Sequence, residues 1–392
     1  MAIIFGGITI SELASRTSEP GGAITYAEKF SGERTACAFG WFQIFIYYPT
    51  LTTVVSWVVG IYTCILFNID ASLDYQILIG LIFCILCFIY NTLSPKLGGL
   101  FQNYSTVIKM LPLILLAIFG LIYGDPISGL SKLSSNSING LAWISAIGPI
   151  AFAYDGWIVS TSIAHEVKDS KRNMPKALIT APLFILLLYV LYFVGISSYV
   201  GPEKVMALGD AHVAEAATNL FGPLFAKAIT IFVIISVMGT VNGLVLGFIR
   251  MPYSMALRSG MMPFSKKLSH INKNLKMPVY SSIFALILSL LWMGVHYITT
   301  KFNLLPNSDI SEISIAMSYI LYISLYYRVF KLYVKGEIKS IWRGIVFPVL
   351  ATIGSLFILS GGMQNDLFIY YAAFCILVII LSQLYYKANK KS

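Results

Sequence analysis

Apolar runs of about 20 residues recur along the whole chain, separated by short polar connections. Each is long enough to cross a hydrocarbon core of ~30 Å. The pattern predicts eleven spanning segments: 2–15 (short), 39–66, 75–93, 101–124, 140–163, 177–200, 221–250, 278–299, 312–334, 343–361 and 366–386. One of them breaks its own apolar pattern. The run 140–163 places Phe152, Ala153, Tyr154, Asp155, Gly156 and Trp157 at mid-depth, then exits into the basic loop HEVKDSKRNMPK. An aspartate at the centre of a spanning helix costs roughly 2.5–3.5 kcal/mol, so it normally faces a protein cavity. Glycine beside it weakens the helix, and unwound backbone is tolerated at that depth only where it lines a cavity. Broken helices at the midplane are how secondary transporters build substrate sites.

Charge placement orients the segments. One alternate set of connections carries 22 basic residues, from Arg16 through Lys168, Lys171, Arg172, Arg250 and Arg258 to Lys391. The opposite set holds only 4, Lys132, Lys204, Lys227 and Lys301, and Lys109 lies inside a helix. The positive-inside rule places the rich set, and with it the C-terminus, in the cytoplasm. The net charge of +10 is therefore an orientation signal and needs no nucleic-acid partner.

Composition agrees with a membrane chain. Hydrophobic residues make up 57% and charged ones 11%, with a mean hydropathy of +0.79, which excludes an ordinary soluble globular domain. The five cysteines all lie in or beside apolar runs, and Cys84 and Cys87 form a CxxC without a nearby second ligand pair, which reads as packing. His165, His212, His270 and His296 lack metal spacing, and no phosphate-binding GxxxxGK[ST] loop is present. Neither metal, cofactor nor ATP is expected. Paired catalytic groups of an intramembrane enzyme are likewise missing from the pattern.

Four passages carry a family resemblance. They are SELASRTSEPGGAITYAEKFSG (11–32), KLGGLFQNYSTVIKMLPL (96–113), FAYDGW (152–157) with HEVKDSKRNMPKAL (165–178), and GTVNG (239–243) with RMPYSMALRSGMMP (250–263). In this order and spacing the chain resembles the amino acid–polyamine–organocation (APC) superfamily, and most of all its L-type amino acid transporter branch, including bacterial serine/threonine exchangers. The resemblance implies an all-α, LeuT-like inverted-repeat transporter fold, of which this chain shows eleven of the usual twelve helices. It divides the chain into a first repeat (1–139), a second repeat (140–334) and two last helices with a tail (335–392). The unwound Gly-Ser-Gly-type motif of the family's first helix has no counterpart in residues 1–30, so that helix is expected to be missing from the sequence.

Candidate site residues follow. At 151–157, freed amides near a half-helix N-terminus attract a carboxylate and freed carbonyls accept an ammonium; the alternative is a kinked, packed helix. Gly156 permits close backbone approach, and Ala153 and Tyr154 belong to the same stretch. The resemblance makes Phe152 an aromatic gate over the substrate. Trp157 is either pocket wall or packing. Asp155 either meets a substrate ammonium or a proton, or caps the second half-helix. Lys109 sits too deep for easy contact with water; the resemblance places it where sodium-coupled relatives hold sodium, implying sodium independence and proton linkage, against the alternative of snorkelling. Asn242 and Gly243 face either the substrate or a neighbouring helix. Glu166 and Arg172 belong to the cytoplasmic loop, as a gate lock or a fold of that loop. The outward loop 68–74 has no cysteine, so no covalent glycoprotein partner is implied.

The expectation is secondary active transport of small or neutral amino acids across a plasma membrane, by exchange or proton-coupled uptake, in a multi-pass protein of bacterial style. The competing expectation is a non-transporting membrane protein, an amino acid sensor or a degenerate permease, suggested by the missing helix.

Overall fold

Nine of the apolar runs form helices long and apolar enough to span a membrane among the described residues. The computed structural model describes residues 1–19, 21–127, 142–305, 308–365 and 367–390. In chain order the elements are α1 (Ala2–Ala14), α2 (Ala23–Ser31), α3 (Glu33–Phe67), α4 (Leu73–Leu93) and α5 (Pro95–Tyr123). A broken segment follows: a 3-10 turn Ala142–Ala146, the half-helix α6 (Ile147–Ala153) and a second 3-10 turn Val159–Glu166. Then come α7 (Ser170–Val200), α8 (Pro202–Leu208), α9 (His212–Phe221), α10 (Pro223–Ala256), α11 (Ser265–Leu268) and α12 (Val279–Lys301). The last are α13 (Ile310–Val334), α14 (Trp342–Gly362) and α15 (Phe368–Asn389). Of the eleven expected segments, the short first one is the 13-residue α1, and 140–163 is the broken one.

Prolines explain where boundaries depart from the apolar pattern. The start of α7 is seven residues earlier than the apolar run, with Pro175 inside it. Pro175, the sixth helical residue, forfeits one hydrogen bond, to the Lys171 carbonyl, near the loop end of the helix. In α3 a π-turn, Gln43–Tyr47, immediately precedes Tyr48-Pro49; in α14 another, Trp342–Val346, precedes Phe347-Pro348. The wider turn accommodates a ring that would clash with the carbonyl four residues back. Pro49 has no N–H for the Phe45 carbonyl, and the Trp292 indole of α12 donates to it instead at 2.8 Å.

Small residues set the close helix contacts expected inside a bilayer. A Cβ on Gly60 of α3 would fall 1.9 Å from the Gln76 carbonyl of α4, and one on Gly120 of α5 would fall 2.5 Å from the Gly195 carbonyl of α7. Outward, α4 exposes Leu78, Ile82, Leu86, Ile89 and Leu93 at helical spacing, a lipid-facing stripe. Its opposite face buries Cys84 and Cys87, both free thiols.

Candidate functional site

The broken segment ends its α-helical ladder with the Tyr154 amide donating to Ile150 O at 3.2 Å. It continues only as i→i−3 bonds, Asp155 N to Phe152 O at 3.1 Å and Val159 N to Gly156 O at 3.0 Å. Gly156 sits at φ +85°, a backbone region that a side chain disfavours. That reversal turns Asp155 inward. Tyr47, the last residue of the π-turn in α3, donates its hydroxyl to Asp155 Oδ2 at 2.5 Å. The other carboxylate oxygen, Oδ1, is buried without a hydrogen-bond partner among the described residues.

Around this carboxylate stand tyrosines from two helices. Tyr47 and Tyr48 of α3 meet edge to face at 5.5 Å, and Tyr319 and Tyr322 of α13 at 5.4 Å. Trp157 reaches the same group: its indole donates to Tyr319 Oη at 3.4 Å and its ring meets Tyr322 at 5.9 Å. The Tyr322 and Tyr326 hydroxyls, like Asp155 Oδ1, are buried and meet no well-aligned hydrogen-bond partner among the described residues. Thr50 and Ser314, 2.9 Å apart, tie α3 to α13 beside it. Buried polar atoms are costly to leave unpaired, so a cluster of orphans marks a place for a polar ligand or water.

One end of the site is closed by the connection between α1 and α2. Gly22, at φ +52°, lies so close to the second 3-10 turn that a Cβ would fall 2.3 Å from Thr161 Oγ1. Arg258, just beyond the end of α10, fastens the same region, donating to Glu28 Oε2 at 2.7 Å, Thr25 Oγ1 at 2.9 Å and the Ser254 carbonyl at 2.7 Å. Pro20 of the Pro-Gly-Gly step lies outside the described residues. At the opposite end, Gly148 of α6 abuts Glu312 of α13, whose carboxylate accepts from Ser308 Oγ at 2.9 Å.

A model of the family "Amino acid permease" matches residues 1–383. The chain belongs to the amino acid permease family. This permease is 32% identical over 366 residues to the serine/threonine exchanger SteT of Bacillus subtilis (strain 168), an alignment covering 92% of this chain and 80% of SteT. It is 25% identical to the human b(0,+)-type amino acid transporter 1, over 97% of this chain and 77% of that one. Against the human cystine/glutamate transporter the identity is 25%, over 74% of this chain and 58% of that one. Among solved structures, MhsT in complex with L-phenylalanine superposes with a TM-score of 0.55 at 15% identity, covering 97% of this chain and 89% of MhsT. The permease thus shares the fold of that transporter.

The other sequence candidates of the permease lie apart from the tyrosine cluster or at its edge. Phe152 is half-buried against a small apolar group with Val54, Leu305 and Ile310. Ala153 is exposed, and Tyr154 turns outward to pack on Tyr189 of α7 at 5.1 Å. Asn242 of α10 is fully buried and uses all four of its hydrogen bonds between helices. Its oxygen accepts from Tyr90 at 2.7 Å and Asn91 at 2.8 Å, and its nitrogen donates to the Gly98 carbonyl at 3.0 Å and Gln102 at 2.9 Å. Gly243 gives Gln102 the room to do so. Lys109 lies half-buried in the middle of α5 and joins no ion pair among the described residues. Glu166 accepts from Arg250 of α10 at 3.0 Å, while Arg172 lines a separate cavity.

Sequence reasoning passed over Tyr47, Tyr319, Tyr322 and Tyr326. The signal was there for the last three: spacing i, i+3, i+7 in SYILYISLYY puts them along one face of α13.

Proposed function

We propose that this permease is a secondary exchanger of small polar or neutral amino acids, serine and threonine foremost, working by alternating access. The observation that carries it is the break at Tyr154–Ile158, which aims a carboxylate with one unpaired oxygen into a tyrosine-lined centre. In this reading the unwound backbone around Gly156 holds the amino acid's own ammonium and carboxylate, with Phe152 closing over them. Asp155, fixed by Tyr47, receives the ammonium or the side-chain hydroxyl. Trp157, Tyr319 and Tyr322 form the wall. Asn242 and Gly243 belong to the scaffold between α4, α5 and α10. Lys109 occupies the place of a sodium ion, which makes exchange sodium-independent. Serine and threonine are favoured because SteT, the relative named a serine/threonine exchanger, aligns over 92% of this chain.

The same reading divides the chain into two repeats, 1–139 and 140–334, followed by 335–392. It places the protein in a bacterial plasma membrane with the basic connections and the C-terminus in the cytoplasm. Glu166 with Arg250, and Glu28 with Arg258, then lie on the cytoplasmic side as the closed gate. Counterflow tests the function directly. Proteoliposomes loaded with unlabelled serine should accumulate labelled serine without sodium, and empty ones should not. Absence of counterflow across a panel of neutral and cationic amino acids, with folded protein in the vesicles, would overturn it.

A further inference from the structure

A cavity of about 870 Å³ opens between the α1–α2 connection and the start of α7, on the face that carries the basic connections. Glu19, His165, Asp169, Ser170, Lys171 and Arg172 are among the residues lining it. Three independent features there lack partners. Asp169, the residue before α7, sits at φ +48° and its side chain caps nothing. Its carbonyl accepts from the Arg172 and Asn173 amides, and no hydrogen bond among the described residues uses the Ser170 or Lys171 amide. Ser170 is only 7% exposed, yet its hydroxyl has no hydrogen-bond partner among the described residues. None of the ion pairs among the described residues employs Lys171 or Arg172.

The acidic groups nearby are largely occupied. Glu19 is held by Lys29 at 2.6 Å and Glu166 by Arg250 at 2.9 Å, which leaves Asp169, among the described residues, as the one lining carboxylate set against Lys171 and Arg172, neither of them in an ion pair there. Free amides at the start of a long helix, a buried hydroxyl and two basic side chains form a donor set suited to a tetrahedral oxyanion.

We propose that this cavity binds a phosphate group at the membrane surface, carried by an anionic phospholipid or by a soluble phosphate ester. The lipid source has structural support along α7 itself. Leu183, Leu187 and Leu191 form an exposed apolar stripe leading away from the cavity into the bilayer, where acyl chains would lie. The site is separate from the Asp155 centre, so it stands or falls independently of the transported substrate.

Native mass spectrometry of the whole protein, presented with phosphatidylglycerol and phosphatidylcholine, tests the proposal. Preferential retention of phosphatidylglycerol is expected. Lys171→Gln and Arg172→Gln should each lower that preference about fivefold, the equivalent of ~1 kcal/mol per basic side chain at a membrane surface. Ser170→Ala should lower it less, and Arg172→Lys should keep most of it. Competition by millimolar inorganic phosphate, read as loss of lipid adducts or as a thermal shift in lipid-free protein, would assign a soluble phosphate as the ligand. Retention that inorganic phosphate leaves untouched would assign the lipid. No preference for either probe in the unaltered protein would overturn the proposal. So would unchanged retention in the Gln variants, provided their melting temperatures match the parent.

Discussion

Two buried polar clusters sit on the spanning helices, and they differ in how their hydrogen bonds are closed. Around Asn242, three side chains and the Gly98 carbonyl, from α4 and α5, close four hydrogen bonds with the amide of α10, and among the described residues only Asn91 Oδ1 of this group is left over. Around Asp155, one carboxylate oxygen and two tyrosine hydroxyls are left without well-aligned partners among the described residues. Lipid offers neither region water from outside, so each polar group must be answered within the protein. The difference is one of purpose. A network closed on itself holds helices together, whereas one left open has room for a polar guest.

That contrast is exposed to experiment. The largest effect is expected from Asn242→Ala, which takes one partner from each of Tyr90, Asn91, Gln102 and the Gly98 carbonyl at once. Breaking a buried network of this kind costs roughly 3–4 kcal/mol, so the variant should melt at clearly lower temperature or fail to fold, and added substrate should not rescue it. Next comes Asp155→Asn. It should leave the melting temperature within a few degrees while slowing counterflow by about ten- to a hundredfold, the worth of one charged hydrogen bond. If stability collapsed and transport per folded molecule did not, Asp155 would belong with the scaffold.

Tyr322→Phe is a finer cut. Removing an unpartnered buried hydroxyl should be neutral or stabilising by up to about 1 kcal/mol, yet it should alter the preference between serine and alanine in competition assays. The smallest effect is outside the bilayer, in the α8–α9 hairpin, where the hydrogen bond from Lys204 holds the Glu215 carboxyl below its ordinary value of 4.5. A depressed carboxyl stabilises the fold above its unfolded value and stops doing so as pH falls through the folded one. Amide exchange in α9 should therefore quicken only in acid, slightly, and Lys204→Ala should erase that dependence without touching counterflow. The pair is solvent-exposed, so its share of stability is small.

Much of this architecture was legible because a bilayer permits few solutions. Segment lengths, the alternation of basic connections and the misfit of Asp155-Gly156 within an apolar run all follow from solvation. The tyrosine cluster was harder to see. Tyr47 and Tyr319 are 272 positions apart in sequence, and tyrosine is common in spanning helices near the interface, so composition alone does not separate a belt residue from a site residue. Asn242 was ambiguous for a related reason. An amide on a spanning helix serves a ligand or a neighbour equally well, and only its four partners in the folded chain show which helices it joins. The start of α7 was placed late because the apolar pattern begins only after the basic stretch Lys171–Lys176, through which the helix runs on.

The π-turn of α3 has an evolutionary corollary. It holds one residue more than an α-helical turn would, and that extra residue brings Tyr47 to Asp155 while the helix beyond Pro49 keeps its own packing face. Each α-helical residue advances about 100° around the axis. Deleting any one of residues 43–47 would relax the bulge to ordinary α-helix and turn the side chain presented at position 47 by up to about that angle away from Asp155. Lineages that vary this permease by insertion and deletion should therefore do so in the connections and leave the length of this stretch unchanged, even where its residue types drift.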